Sequence, residues 1–346
     1  MPRGAVLAAL AAALLFGAAA PLLKPVADRL PPLVVAGLLY VGAALAVTPV
    51  TWRGTSRSSL DARSARRLAG AVIAGGVVAP VLMLVALRFA SAASVALLLS
   101  LEVAATALLG ALVFHDPLGR RGWAGIGAAV AAGAMLAAGG GAPGVVAALL
   151  VAAACVGWAL DNHLTALIDT LPPARTTQVK GVVAGVTSLL LAVGLTPIMP
   201  SAADVGRVLL IGGACYGLSI ALYIHAAQRL GAVRAQALFA TAPFWGVALA
   251  AALRGDRLTP AALAATGLAA VAVVLILRDH HYGHPHRHQA AEHAHRHRHD
   301  DGHHDHRHAD LPADAEHTHP HVHEAVEHSH RHVPDLHHRH RHGSHE

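Results

Sequence analysis

The sequence predicts an all-α membrane protein: ten transmembrane helices forming two inverted five-helix repeats, followed by a disordered His-rich tail. Three observations predict it. The 346-residue chain is 55% hydrophobic and only 13% charged, and its mean hydropathy is +0.50 despite a very polar end; soluble domains do not show this profile. Apolar runs of about 20 residues, the helix length that crosses a hydrocarbon core of about 30 Å, recur across residues 4–277. One phrase also occurs twice, as RFASAASVALLLSLEVAATALLGALVFHDPL from Arg88 to Leu118 and as RLGAVRAQALFATAPFWGVALAAALRGDRL from Arg229 to Leu258. Each copy has an Arg, a short turn of small residues, an Ala-rich apolar stretch and a closing Asp-x-Leu. Such a pair points to internal duplication.

The spans fall at 4–23, 33–50, 68–87, 92–114, 122–139, 144–166, 179–196, 205–226, 232–253 and 259–277. Lipid offers no partner to open backbone groups, so each run must be helical, and the Ala and Leu content agrees. The alternation of an outer-membrane barrel is missing. Arg3, the first apolar run and then Ala18-Ala19-Ala20 imitate a signal peptide. Pro21 would follow the scissile bond and disfavours cleavage, so the span is read as a retained helix. Pro31-Pro32 ends it, and the loop Thr51–Arg67, with five arginines, follows the second. The fifth carries Gly125, Ala129 and Gly133 at every fourth position, which lets helices approach closely. Gly139 to Pro143 divides the halves, giving repeats over 1–139 and 140–278 and a tail over 279–346. Leu171-Pro172-Pro173 and then Pro197 with Pro200 bound the seventh span.

Charge sets the expected orientation. With the N-terminus in the cytoplasm, the inner side carries Arg3, the five loop arginines, Arg120, Arg121, Arg175, Lys180, Arg229 and Arg278. The outer side carries Lys24, Arg29, Arg88, Arg207, Arg254 and Arg257. Twelve against six favours this sidedness, and ten spans return the C-terminus to the cytoplasm. The net charge of +6 thus belongs to membrane loops and gives no case for nucleic-acid binding. Cys155 and Cys215 lie inside apolar runs without a CxxC partner and read as packing residues.

The segments A-S-V-A-L-L-L-S-L-E and T-A-L-L-G-A-L-V-F-H-D-P-L resemble the EamA repeat of the drug/metabolite transporter superfamily. The resemblance covers residues 4 to 278 in two halves. The chain departs at Glu102-Val103, where the family often has Glu-Pro, and at His115-Asp116 and Gly255-Asp256, where it often has Gly-Glu. The resemblance implies a secondary transporter of a small organic solute, with a site between the halves. It also implies that the fifth span and its counterpart at 259–277 make a dimer or scaffold contact, so a homodimer is an expected partnership.

Charge inside a membrane is costly and marks function by default. Glu102, inside the fourth span, is read either as a proton- or cation-coupling carboxylate or as a hydrogen-bonded structural carboxyl. Asp161-Asn162-His163 lies in the sixth span. Successive residues on a helix diverge by about 100°, so the three do not share a face, and Asp161 and His163 reach a cavity from two sides. His225 closes the eighth span beside Tyr223, and Gln236 opens the ninth after Arg234, which snorkels to headgroups. Glu102, Asp161, Asn162, His163, His225 and Gln236 are the cavity candidates. Trp158 and Trp245 read as interface or cavity-wall residues, and Asp116 and Asp256 as capping groups. No P-loop, HExxH or Ser/His/Asp pattern appears, so an enzyme is not expected.

Residues 280–346 hold 25 His. They are too polar to offset ordering entropy and read as disordered. His recurs at alternate positions: His284, His286, His288; His293, His295, His297, His299; His304, His306, His308; His317, His319, His321, His323; His328, His330, His332; and His338, His340, His342. In an extended chain alternate side chains share a face, so one HxHxH unit offers two or three imidazoles to one ion. With no sulfur ligand in the tail, Zn, Ni or Co is the expected metal, with Cu(II) in an oxidising setting. No cofactor is otherwise required. The expected function is transport of a small solute across the inner (plasma) membrane by alternating access, with a cytoplasmic metal-binding tail. The alternatives are a divalent-metal transporter proper and a membrane-anchored metal buffer or sensor without transport.

Overall fold

The computed structural model describes residues 3–52, 61–113, 118–139, 141–168, 171, 173–195, 200–230 and 238–279, with strand segments at 283–287, 291–297, 317–323 and 327–331. The chain divides into two compact units, Met1–His280 and His281–Glu346.

Among the described residues of the first unit, nine helices are long and apolar enough to cross a membrane, and a tenth, shorter apolar helix follows residues 231–237, which lie outside the description. They are α1 (Arg3–Ala27), α2 (Pro32–Trp52), α3 (Ala62–Ala86), α4 (Ala92–Val113), α5 (Arg120–Gly139), α6 (Gly141–Ala166), α7 (Pro173–Leu195), α8 (Ala202–Ala226, its last turn reaching Leu230), α9 (Ala242–Arg254) and α10 (Pro260–Asp279). Two starts come six residues earlier than the apolar pattern placed them. Asp61 caps α3: its side chain accepts the amide hydrogens of Arg63 and Ser64, as an N-cap carboxylate does. Hydrogen bonding with Ser64 holds the Asp61 carboxyl below the usual range. For α7, Pro173 supplies the preset φ of a first helical residue. The polar run that follows it is therefore helix, and Lys180 stands two turns inside.

Several rods are not plain α-helices. Residues Val72–Val78 of α3 and Gly212–Leu218 of α8 are π-wound, 140 positions apart in both their first and last residues. α4 breaks at Leu99–Ser100, and a turn at Ala240–Thr241 precedes α9. The packing shows the same duplication. α1 packs on α8 as α6 packs on α3; α1 packs on α9 as α6 packs on α4; and the counterparts α2 and α7, α4 and α9, and α5 and α10 pack on each other. α2 and α7 approach so closely that a Cβ at Gly37 would sit 3.0 Å from the Gly185 carbonyl oxygen, and one at Gly185 equally close to that of Gly37. The Gly125, Ala129, Gly133 stripe is consumed within the chain: Gly125 faces Ala272 and Ile276 of α10, and Gly133 faces Leu98 and Leu101. Leu7, Trp52, Leu149, Leu190 and Leu210 stand exposed, an apolar exterior suited to lipid.

In the second unit, β1 (Gly283–Arg287) pairs antiparallel with β4 (Glu327–Arg331), and β2 (Ala291–His297) with β3 (His317–His323). The tail was expected to lack regular structure. Its period-2 alternation is also the pattern of a strand, and in these four segments it is paired.

Candidate functional site

The site grows from the π-winding of α3. The amide of Ala79 reaches back five residues to the Ala74 carbonyl. The Gly75 carbonyl would take the next amide, but residue 80 is Pro and has none. Its oxygen is therefore released from the ladder. It accepts the Tyr40 hydroxyl at 2.6 Å and the Trp158 indole N–H at 3.1 Å, so α2, α3 and α6 meet on one backbone atom. Gly75 also has no side chain because the space is taken: a Cβ there would overlap the carboxylate of Asp161.

Asp161 is 5% exposed. Its Oδ1 accepts from Lys180 Nζ of α7 at 2.5 Å and from Thr165 Oγ1 at 2.9 Å, and Lys180 Nζ also lies 3.3 Å from Thr165 Oγ1. One residue on, the helix has turned, and Asn162 Nδ2 donates to Glu102 Oε1 at 3.1 Å. Glu102 is half-buried and sits in the first turn after the break in α4, where the exposed amides of a helix start favour a negative charge. α6 thus presents an ion pair toward α3 and α7 and an amide–carboxylate pair toward α4. Beyond Tyr40 a chain of aromatic rings crosses the two halves. Tyr40 to Tyr216 is 6.0 Å between centroids, Tyr216 to Phe16 5.8 Å, Phe16 to Phe239 5.4 Å and Phe239 to Tyr223 5.0 Å.

Of the residues singled out from the sequence, Glu102 and Asn162 come together, and Asp161 lies beside them with a different partner. His163 Nδ1 donates to the Ala159 carbonyl of its own helix at 2.8 Å. His225 is exposed on α8 and does not join the cluster. Gln236, Arg234 and Asp116 lie outside the described residues. Asp256 caps α4, accepting the Ala93 amide at 2.9 Å. Trp158 is a buried wall residue and Trp245 is exposed. Both cysteines are buried and unpaired. Tail residues His288, His299, His304, His306, His308, His332, His338, His340 and His342 lie outside the described residues.

Sequence reasoning missed Lys180, Tyr40, Gly75 and the ring chain. A signal existed for the rings. Aromatics are only 4% of the chain, yet every tyrosine before the tail stands in this row. Among the described residues, no three His, Cys, Asp or Glu groups converge to hold a metal ion. A cavity of about 310 Å³ opens at the opposite end of the bundle, lined by Ser91, Ser94, Met135, Arg257 and Thr259 among others. Among the described residues, Arg257 at its exposed rim is its one charged lining residue.

The EamA-like transporter family matches residues 3–138 and 145–278. The chain belongs to this family. Its members are transporters rather than enzymes, and the two matched segments coincide with the two sets of helices whose packing interchanges. Fourteen solved chains also match. One, described only as "Crystal structure of protein", is 18% identical, with a TM-score of 0.59 over 80% of this chain and 98% of that one; at that identity it speaks for the fold alone. No curated protein matches the chain. This EamA-family chain is therefore a multi-pass membrane transporter of a small solute.

Proposed function

We propose that the protein is an inner-membrane secondary transporter that moves a small solute by alternating access between two inverted five-helix halves, with Glu102 and Asn162 contacting the cargo or coupling ion. The observation that carries this reading is a pair of polar contacts between apolar helices long enough to cross a membrane, Glu102–Asn162 and Asp161–Lys180, on the helix that packs against both α3 and α4. Each such group must be paired to exist in lipid. A cargo that replaces one partner therefore changes the packing of α6 against its neighbours. The charge bias of the loops supports cytoplasmic N- and C-termini.

The tail binds Zn, Ni or Co through its alternating histidines, and transport of the solute does not require it. Metal as cargo is disfavoured by the same geometry. Asp161 is held by a cation, Lys180, and among the described residues no three His, Cys, Asp or Glu groups converge on one point. The test is uptake into proteoliposomes and metal accumulation in cells, with wild type, Glu102→Gln and a chain lacking residues 280–346. A solute whose transport is lost with Glu102→Gln and kept without the tail supports the proposal. Accumulation of Zn, Ni or Co that depends on Glu102 and survives loss of the tail would replace it with metal transport. Accumulation lost only with the tail, and no solute transported, would leave a metal store.

A further inference from the structure

The register of the tail strands carries a more specific inference. In the first ribbon His284 faces His330 and His286 faces His328. In the second His293 faces His321, His295 faces His319 and His297 faces His317. The facing residues of both ribbons lie equidistant from position 307, so the two ribbons share a single register although residues between them lie outside the description. A slip by one position would set His284 against Ser329 and His286 against Glu327, and would move one strand's histidines to the other face. The adopted parity is the one that sets histidine opposite histidine in the Cα register.

We propose that a divalent transition metal binds between the strands of the tail, held in the first ribbon by the four histidines of β1 and β4 and in the second by the His–His rungs of β2 and β3. This rests on the reading of the tail as metal-binding and names which histidines act together. Facing residues of an antiparallel pair lie about 5 Å apart. Alternate residues of one strand are about 7 Å apart. Four histidines at the corners of such a rectangle lie on one face, and an ion with metal–nitrogen bonds of about 2.0–2.1 Å can be enclosed by imidazoles from both strands. Zn and Co(II) accept four nitrogen ligands in this way. Because β1 and β4 are 39 residues apart along the chain, each ion closes a long loop, and metal binding and ribbon formation stabilise each other.

The alternative is local chelation, in which each HxH unit binds alone. Full-length protein in nanodiscs is titrated with Co(II), reading bound equivalents and the visible absorption of tetrahedral Co(II). Three double variants are compared: His284→Ala/His286→Ala, His328→Ala/His330→Ala, and His338→Ala/His340→Ala as a control of equal His loss. Cross-strand binding predicts that the first two each lose the same Co(II) equivalent and that combining them loses no more. The control keeps that equivalent. A second readout uses spin labels at Arg287→Cys and Glu327→Cys, facing positions in β1 and β4, with the buried Cys155 and Cys215 unlabelled. Zn should collapse their separation to a single short distance. Additive losses, or a separation unmoved by Zn, would overturn cross-strand binding while leaving the tail a metal binder. Absence of Co(II) binding in every form would overturn both.

Discussion

Replacing Lys180 by Met tests the ion pair most directly. The side chains of Asp161 and Lys180 are 8% and 17% exposed and 2.5 Å apart. Two unit charges about 4 Å apart attract by about 4 kcal/mol at an effective dielectric of about 20. Both groups, however, gave up hydration to reach this position, so the net worth of the pair is smaller. The removal of one partner is the costly event, about 3–5 kcal/mol for a buried pair. Lys180→Met leaves Asp161 enclosed, with only the Thr165 hydroxyl, among the described residues, to accept from at 2.9 Å. Asp161→Asn is milder, because Thr165 and Lys180 can still bond the amide oxygen and the more exposed Lys180 stem can snorkel toward the helix ends; about 1–2 kcal/mol follows from weakened hydrogen bonding. The double variant has no stranded charge and should recover most of the Lys180→Met loss. Thermal and denaturant unfolding of the three variants in one detergent measures this. Additive losses, with no recovery in the double variant, would show that the pair is not coupled and refute the placement of Lys180.

Gly75→Ala drives a methyl into the Asp161 carboxylate and should cost about 1–3 kcal/mol, as overpacking does. Gly127→Ala, with nothing within 4 Å of its Cβ, should stay within about 0.5 kcal/mol in the same unfolding assay. Tyr40→Phe and Trp158→Phe each remove one donor from the Gly75 carbonyl and should each cost about 0.5–1.5 kcal/mol. Together they should cost more than their sum, because Pro80 cannot supply a replacement amide; a double-mutant cycle reads the excess. Glu102→Gln keeps an oxygen to accept from Asn162, so the unfolding midpoint should hardly move, whereas gradient-driven uptake in proteoliposomes should fall at least about tenfold if the charge couples transport, as in membrane carboxylate relays.

Much of the architecture is legible in the chain because lipid leaves few choices. Long apolar runs must be helices, and the doubled phrase announces two repeats. Boundaries are less legible where a cap or a proline, rather than hydropathy, starts the helix. Asp61 and Pro173 extended α3 and α7 into polar sequence, and that extension moved Lys180 from the inner edge of a span to a part-buried partner two turns inside the helix. The π-windings were equally hidden, since VIAGGVV reads as ordinary apolar helix. Glu102 and Asp161 were visible as charges in apolar sequence, but their partners were not.

What the sequence determined by itself is therefore the class of the protein and the identity of the groups that must be paired: a bundle of membrane helices in two related halves, a handful of polar side chains within it, and a tail with runs of histidine at alternate positions. What only tertiary structure decided is who pairs with whom. Asp161 meets Lys180 while its neighbour Asn162 meets Glu102, because a helix turns about 100° per residue and α6 is wedged between α3, α4 and α7. The Gly75 carbonyl needs donors from two other helices because a proline lies five residues ahead of it. Periodicity along a chain specifies which face a residue occupies; the neighbour across that face depends on how separate helices are stacked.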